Sequence, residues 1–208
     1  MPRSFFARDP LAVAPDLLGT VLVHEADGAE VAVRLTEVEA YLGEGEDPAS
    51  HSHRGLRPRN AVMFGPPGHA YVYFTYGMHF CANVVCRPAG VSGGVLLRAG
   101  EVVTGVDRAR SRRPAARKDV DLARGPARLA NALALTGADN GRDLCDGGEL
   151  QIRAGEPQQP GRVRTGPRVG VALGATSPWR FWLADEPTVS VYRPSQPRRR
   201  PKSGGAQP

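Results

Sequence analysis

The 208-residue sequence has few lysines and cysteines. Lys118 and Lys202 are its only lysines, so its positive charge is almost entirely arginine. A reaction through a lysine Schiff base therefore has few candidate amines. The three cysteines, Cys81, Cys86 and Cys145, are odd in number and have no Cys-x-x-Cys spacing. This pattern disfavours both a disulfide framework and a four-cysteine zinc site.

Long apolar runs are also absent. No segment approaches the roughly 20 apolar residues that span a bilayer, and residues 1–9 contain no apolar signal segment. Hydrophobic residues make up 41% of the chain and charged residues 23%, which is typical of a globular domain. We therefore expect a cytoplasmic protein with no membrane partner. We also expect a monomer.

The positive charge is unevenly distributed. The net charge is +6, and residues 193–208 contain five basic residues and no acidic ones, so the rest of the chain is nearly neutral. Residues 194–208 are Pro, Arg, Lys, Ser, Gly, Ala and Gln, a composition that cannot bury a core. We predict one domain over residues 1–193 and a disordered basic tail over 194–208. The charge favours a polyanionic partner.

Local patterns predict a mixed fold. Asp9-Pro10 is typical of a helix start and Gly19 of its end, and Pro15 is expected to break or restart that helix. Alternating valine-rich segments predict a hairpin with strands at 20–25 and 30–41. Further strands are predicted at 69–76, 79–86, 94–98, 149–153, 168–173, 180–183 and 188–192, and helices at 101–113 and 126–135. The expected class is a mixed α/β (α+β) domain, compact, with a curved, mainly antiparallel sheet and packed helices.

Residues 36–86 contain four of the five tyrosines and four of the five histidines. On the strand at 30–41, period two places Glu37 and Glu39 on the face of Val31, Val33 and Leu35. An apolar face should not end in two carboxylates unless they are satisfied or used. Either a β-bulge shifts the register or the strand runs from the core into a cleft, and we favour the cleft. A carboxylate, aromatic rings and several arginines suit an enzyme that stacks on a base and attacks the adjacent bond.

Short motifs then occur in a fixed order: Glu-Val-Glu-Ala-Tyr (37–41), His51-Ser52, Pro58-Arg59-Asn60, Met63-Phe64, Tyr71-Val72-Tyr73, Tyr76-Gly77-Met78, Asn83, Val95-Leu96-Leu97-Arg98, Gly125-Pro126 and Arg168-Val169-Gly170-Val171. This set resembles the alkyladenine (3-methyladenine) DNA glycosylases, the single-domain purine-excising family. The resemblance extends from about Leu11 to Tyr192. It implies an enzyme without metal or organic cofactor that acts on double-stranded DNA containing a damaged purine, and so a protein associated with the nucleoid through DNA.

The resemblance also implies roles for the reacting groups. Glu39 matches the general base that activates the attacking water, and Glu37 is the next candidate. Arg98 and the backbone carbonyl of Val169 match groups that help to hold this water.

The same resemblance implies a base pocket and a DNA contact surface. Tyr41 and Tyr73 match two rings of the pocket, with His51 opposite. The loop from Tyr41 to His51 is one residue longer than in one form of the family, so His53 is an alternative to His51. Asn83 matches the residue that crowds the exocyclic amino group of guanine. Three further residues are assigned to DNA contact, the wedge Tyr76 and the loop arginines Arg57 and Arg59.

Two other function classes are compatible with the residues. A zinc hydrolase could use the cysteines or the histidines His51, His53, His69 and His79, although no helical His-x-x-x-His pair supports it. A non-catalytic nucleic-acid binding module would also use tyrosines and a basic tail. Release of free purine from damaged DNA distinguishes an enzyme from such a module.

Overall fold

An eight-stranded antiparallel sheet organises the computed structural model, which describes residues 1–75, 77–156 and 161–195. The strands are β1 (Val21–Ala26), β2 (Ala29–Tyr41), β3 (Ala70–Thr75), β4 (His79–Val85), β5 (Gly94–Thr104), β6 (Leu150–Arg153), β7 (Val163–Gly166) and β8 (Arg180–Leu183). Their order is β3-β4-β5-β2-β1-β6, and β8 pairs with both β2 and β7. The predicted class is confirmed.

The long strand β2 connects the two halves of the sheet. It pairs with β5 along one edge. On the other edge its first half pairs with β1 and its second half with β8. Asp27 and Gly28 both have positive φ angles, 56° and 70°, and form the predicted hairpin turn. This arrangement brings the C-terminal segment beside the end of β2.

A β-bulge interrupts β2 between Leu35 and Val38. Before the bulge, the residues in the main core are odd-numbered: Val31, Val33 and Leu35. After it they are even-numbered: Val38 and Ala40. One extra residue inverts the alternation, so Glu37 and Glu39 lie on the opposite side from this core. The bulge is therefore the correct alternative, and our preference for one unbroken face running into a cleft was wrong.

The described residues contain four α-helices: α1 (Arg3–Phe6), α2 (Pro10–Leu17), α3 (Val106–Arg112) and α4 (Pro126–Ala132). Helices α2, α3 and α4 pack against the sheet, and α1 contacts α2. Asp9 caps α2 as predicted, accepting a hydrogen bond from the Leu11 N–H at 2.9 Å. The predicted break at Pro15 does not occur, because α2 buries Val13, Ala14 and Leu17 and loses only one donor. Among the described residues, no helix has the length and apolar character needed to cross a bilayer.

Other boundaries differ from prediction. The helix predicted at 101–113 begins only at Val106, because β5 continues along β2 to Thr104. Residues 168–173 form a turn in which Gly170 has a φ of 70°, and the strand lies earlier, at β7.

Residues 188–192 also form no strand, and at Ser190 side chains satisfy the backbone. The Ser190 N–H donates to Glu37 at 2.6 Å, and the Ser190 carbonyl accepts from Arg180 at 2.7 Å. Two charged side chains thus replace the neighbouring strand that a sheet ladder would require.

Candidate active site

A cavity of about 310 Å³ opens where the end of β2, the loop after it, β3, β4 and the 170–173 turn meet. Its lining is mostly aromatic and apolar: Tyr41, Pro48, Ala49, His51, Met63, Tyr71, Tyr73, Asn83, Gly170, Val171, Ala172 and Leu173. The four residues predicted to bind the base, Tyr41, His51, Tyr73 and Asn83, are all in this set. The structure therefore brings together side chains from distant parts of the chain.

Three aromatic side chains form one wall. The Tyr71 and Tyr73 rings stack with centroids 5.5 Å apart, and the His51 ring meets Tyr73 edge-on at 4.5 Å. His51 Nδ1 lies 3.0 Å from the Tyr71 hydroxyl. His51 lines the cavity and His53 does not. Sequence reasoning did not assign Tyr71 to the site, although its position two residues before Tyr73 on one strand face was the available signal.

The aromatic side chains that line the cavity are uncharged. Burial raises the pKa of Tyr71 and Tyr73, and it raises that of Tyr41 strongly, so all three phenols stay protonated. Partial burial, together with the charge of Arg59, lowers the pKa of His51, which favours neutral imidazole near pH 7. The cavity thus offers uncharged ring faces and hydroxyl groups to a ligand.

Glu39 lies beside this cavity and is wholly buried. The Tyr41 hydroxyl donates to its Oε2 at 2.9 Å, and the Val169 N–H donates to its Oε1 at 2.7 Å. Arg98 Nη1 is 3.4 Å from Oε2. The predicted residues Glu39, Arg98 and Val169 are therefore adjacent. The contact through the Val169 N–H was not foreseen.

Glu37 has different surroundings. Its carboxylate accepts four hydrogen bonds, from Arg98 Nε at 2.9 Å, Arg180 Nε at 2.7 Å, the Ser190 N–H at 2.6 Å and Ser190 Oγ at 2.9 Å. It is wholly buried and does not line the cavity. With its oxygens occupied, Glu37 is suited to holding the two arginines rather than to accepting a proton.

Arg98 links the two carboxylates. Burial alone lowers its pKa, but Glu39 and Glu37 together raise it above its ordinary value. Arg98 therefore remains a cation and places a fixed positive charge beside Glu39.

Asn83 occupies a defined place in the cavity wall. It pairs across the ladder with Tyr71, and its Nδ2 donates to the Tyr71 carbonyl at 3.2 Å. The side chain therefore has one structural partner and also lines the cavity.

The predicted DNA-contacting arginines are not among the residues that line the cavity. Arg57 and Arg59 are exposed around the start of a 3-10 helix, Pro58–Phe64, that follows the His51 loop. Asn60 ties this loop together by donating to the carbonyls of His51 and Gly55. Tyr76 lies outside the described residues. Within the described chain, no three His, Cys, Asp or Glu side chains are grouped to hold a metal ion.

The site is a neutral aromatic cavity with a buried carboxylate and a fixed cation beside it, and such a cavity suits a flat ring as ligand. The profile of the methylpurine-DNA glycosylase (MPG) family matches residues 4–187. A relative from Streptomyces avermitilis is 55% identical over 203 residues, which is 96% of this chain and 95% of the relative. One from Frankia casuarinae is 53% identical, covering 94% and 93%, and both carry the name "Putative 3-methyladenine DNA glycosylase". The chain belongs to the methylpurine-DNA glycosylase family and is a DNA glycosylase, which confirms the resemblance.

Proposed function

We propose that the protein flips alkylated or deaminated purines out of duplex DNA and hydrolyses the N-glycosidic bond with a water that Glu39 activates. One observation carries the proposal: the buried Glu39 carboxylate is held by Tyr41 and Val169 directly beside an aromatic cavity. The proposed substrates are 3-methyladenine, 7-methylguanine, hypoxanthine and ethenoadenine.

The cavity suits an extruded purine. Extruding a base costs a few kcal/mol, and stacking on an aromatic side chain returns roughly 1–3 kcal/mol per base. Purines alkylated at N3 or N7 carry positive charge in DNA, which the ring faces of Tyr41 and Tyr73 attract. Neutral His51 adds no repulsion to such a cation. The walls therefore favour the damaged base without needing a negative charge in contact with it.

The reaction follows from the charges around Glu39. The carboxylate accepts a proton from water while the water oxygen bonds to the sugar carbon C1′. The C1′–N bond breaks, and its electron pair leaves with the base. Arg98 and the Val169 backbone are close enough to Glu39 to orient the water. A base that is already cationic departs as a neutral molecule, which assists the reaction.

The test uses a set of duplexes that each carry one lesion. We expect release of the free purine from at least one of them, with the sugar–phosphate strand left intact. Full activity after exhaustive chelation would eliminate the zinc hydrolase alternative. Tight binding to every duplex without any released base would instead support the non-catalytic binding module.

Asn83 is expected to discriminate between purines. In the proposed pose its amide crowds the N2 amino group of guanine, whereas adenine and hypoxanthine carry only hydrogen there. Asn83→Ser should raise excision of undamaged guanine by about 5- to 30-fold, the equivalent of removing a clash of ~1–2 kcal/mol. Excision of hypoxanthine should change little. Both rates are measured with folded protein, alongside its melting temperature.

The structure also contains a competing explanation for Asn83, because the side chain satisfies the Tyr71 carbonyl. If that is its only role, the substitution lowers the melting temperature and reduces excision of both bases by the same factor. That outcome would remove Asn83 from the account of specificity.

The enzyme is expected to cleave the N-glycosidic bond without cutting the DNA strand. Strand cleavage by a glycosylase requires an amine that forms a Schiff base. Lys118 precedes the short 3-10 helix Asp119–Asp121 and does not line the cavity, and Lys202 lies outside the described residues. Borohydride should therefore trap no covalent protein–DNA adduct. An adduct that disappears in Lys118→Ala or Lys202→Ala would refute this expectation.

The basic tail is expected to change affinity and not selectivity. Deleting Pro194–Pro208 removes four positive charges. Since each phosphate contact contributes a slope of about 0.9 to the logarithmic salt dependence, the slope should fall by at most about 4. The ranking of lesions should stay the same because phosphate contacts do not read bases. A changed ranking would show that the tail reaches the site.

A further inference from the structure

Behind the cavity lies a buried ion pair between Asp47 and Arg168. Neither side chain is exposed to solvent. Arg168 Nη1 donates to Asp47 Oδ2 at 2.6 Å, and Nη2 donates to Oδ1 at 2.9 Å. This two-point contact fixes the plane of the guanidinium as well as its position.

The ion pair connects segments that carry the proposed catalytic groups. Its backbone partners are the Ala40 carbonyl at 3.0 Å, the Leu42 N–H at 3.2 Å and the Ala49 N–H at 3.0 Å. These groups belong to the end of β2 and to the loop that leads to His51. The residue after Arg168 is Val169, which contacts Glu39. A displacement of the pair would therefore move the wall and the surroundings of Glu39 together.

The guanidinium also stacks on a ring of the cavity wall. Its Cζ atom lies 4.4 Å from the centre of the Tyr41 ring and 5.0 Å from that of Trp179. Tyr41 lines the cavity and Arg168 does not. Since Arg168 covers one face of Tyr41, a stacked base has the other face available. A positive charge thus sits behind the ring on which the base would stack, and Asp47 compensates it.

We propose that Asp47 and Arg168 are positioning residues that hold Tyr41 and Val169, and that their mutual neutralisation allows the cavity to accept cationic purines. This inference rests on the proposed function and deepens it. Arg168 provides a rigid backing for Tyr41. Asp47 prevents that backing from repelling an alkylated base.

The expected effect follows from Coulomb's law. A base stacked on the free face of Tyr41 would lie roughly 8 Å from the guanidinium. At an effective dielectric constant of about 20, an uncompensated unit charge at that distance changes the equilibrium constant for binding a cation by about 30-fold. A base that is neutral in DNA has no net charge for the guanidinium to repel when it enters the cavity. The ratio of excision rates for a cationic and a neutral lesion therefore isolates the charge effect from general structural damage.

The experiment measures single-turnover excision of 7-methylguanine, which is cationic in DNA, and of hypoxanthine, which is neutral. In Asp47→Asn the guanidinium stays charged and unpaired, so the ratio of 7-methylguanine to hypoxanthine excision should fall by about 10- to 30-fold. In Arg168→Met the carboxylate is left unpaired, and the ratio should rise. Opposite shifts from the two substitutions are not expected of a purely structural pair.

Glu46→Gln is the matched control. Glu46 precedes Asp47, and its side chain is 46% exposed in an ion pair with Arg87. This substitution removes the same unit charge from the same loop, but screening by solvent should leave the ratio unchanged. If neither single variant folds, the double variant Asp47→Asn/Arg168→Met, which removes both charges, should retain the wild-type ratio.

The failures are distinguishable. Equal ratios in Asp47→Asn, Arg168→Met and the wild type would overturn the charge proposal, as would a shifted ratio in the double variant. A wild-type protein that excises neither lesion would instead overturn the proposed function.

Discussion

Replacing Glu39 with glutamine should reduce base excision by about 10²–10⁴-fold and leave the affinity for damaged DNA almost unchanged. Glutamine keeps the size of the side chain and can still accept from Tyr41 or Val169, but it cannot take a proton from water. Single-turnover excision and a binding titration with the same lesion duplex provide the two numbers. Excision and binding should respond differently because Glu39 lies beside the cavity and is not one of its lining residues.

A matched substitution controls for the loss of charge. Glu25 is exposed on β1, so Glu25→Gln removes one carboxylate far along the chain from the cavity loops. Its excision rate should equal that of the wild type. A near-normal excision rate in Glu39→Gln would eliminate Glu39 as the general base. Equal losses of excision rate and of DNA affinity would assign Glu39 a structural role.

Replacing Glu37 with glutamine should have its main effect on stability. Glu37 is wholly buried and is the shared partner of Arg98 and Arg180. Removing one member of a buried ion pair leaves an uncompensated charge and costs about 3–5 kcal/mol. The free energy of unfolding, measured by urea titration, should fall by about that amount. Glu39→Gln should lose less, because Arg98 keeps Glu37 as a partner.

The two glutamates therefore form an internal comparison. We expect Glu39→Gln to be stable and inactive. We expect Glu37→Gln to be unstable, but any protein that remains folded should keep its excision activity because it retains Glu39 as general base. The reverse pattern would exchange their roles. It would also show that the four hydrogen bonds to Glu37 contribute little to folding.

The sequence predicted the elements whose signals are local. The hairpin turn at Asp27 and Gly28, the cap at Asp9 and most strands follow from turn chemistry and alternation. The β-bulge in β2 does not, because an inserted residue is visible only in the pairing with β5. For this reason the alternation in the sequence allowed a β-bulge as one of two interpretations but did not distinguish between them.

The candidate site was also predicted only in part: four of its lining residues were identified from the sequence, but the contacts that hold them in place were not. The family motifs identified Tyr41, His51, Tyr73 and Asn83, and all four line the cavity. Arg168 belongs to one of these motifs, but nothing in the sequence pairs it with Asp47, which is 121 residues away. Long-range contacts of this kind require the fold.

Release of a damaged purine is tested most directly by chromatography of the bases that the wild-type protein frees from methylated duplex DNA. We expect free 3-methyladenine, released from strands that break only after alkaline treatment of the abasic sites. DNA that is bound by the protein but yields no free purine would contradict this expectation.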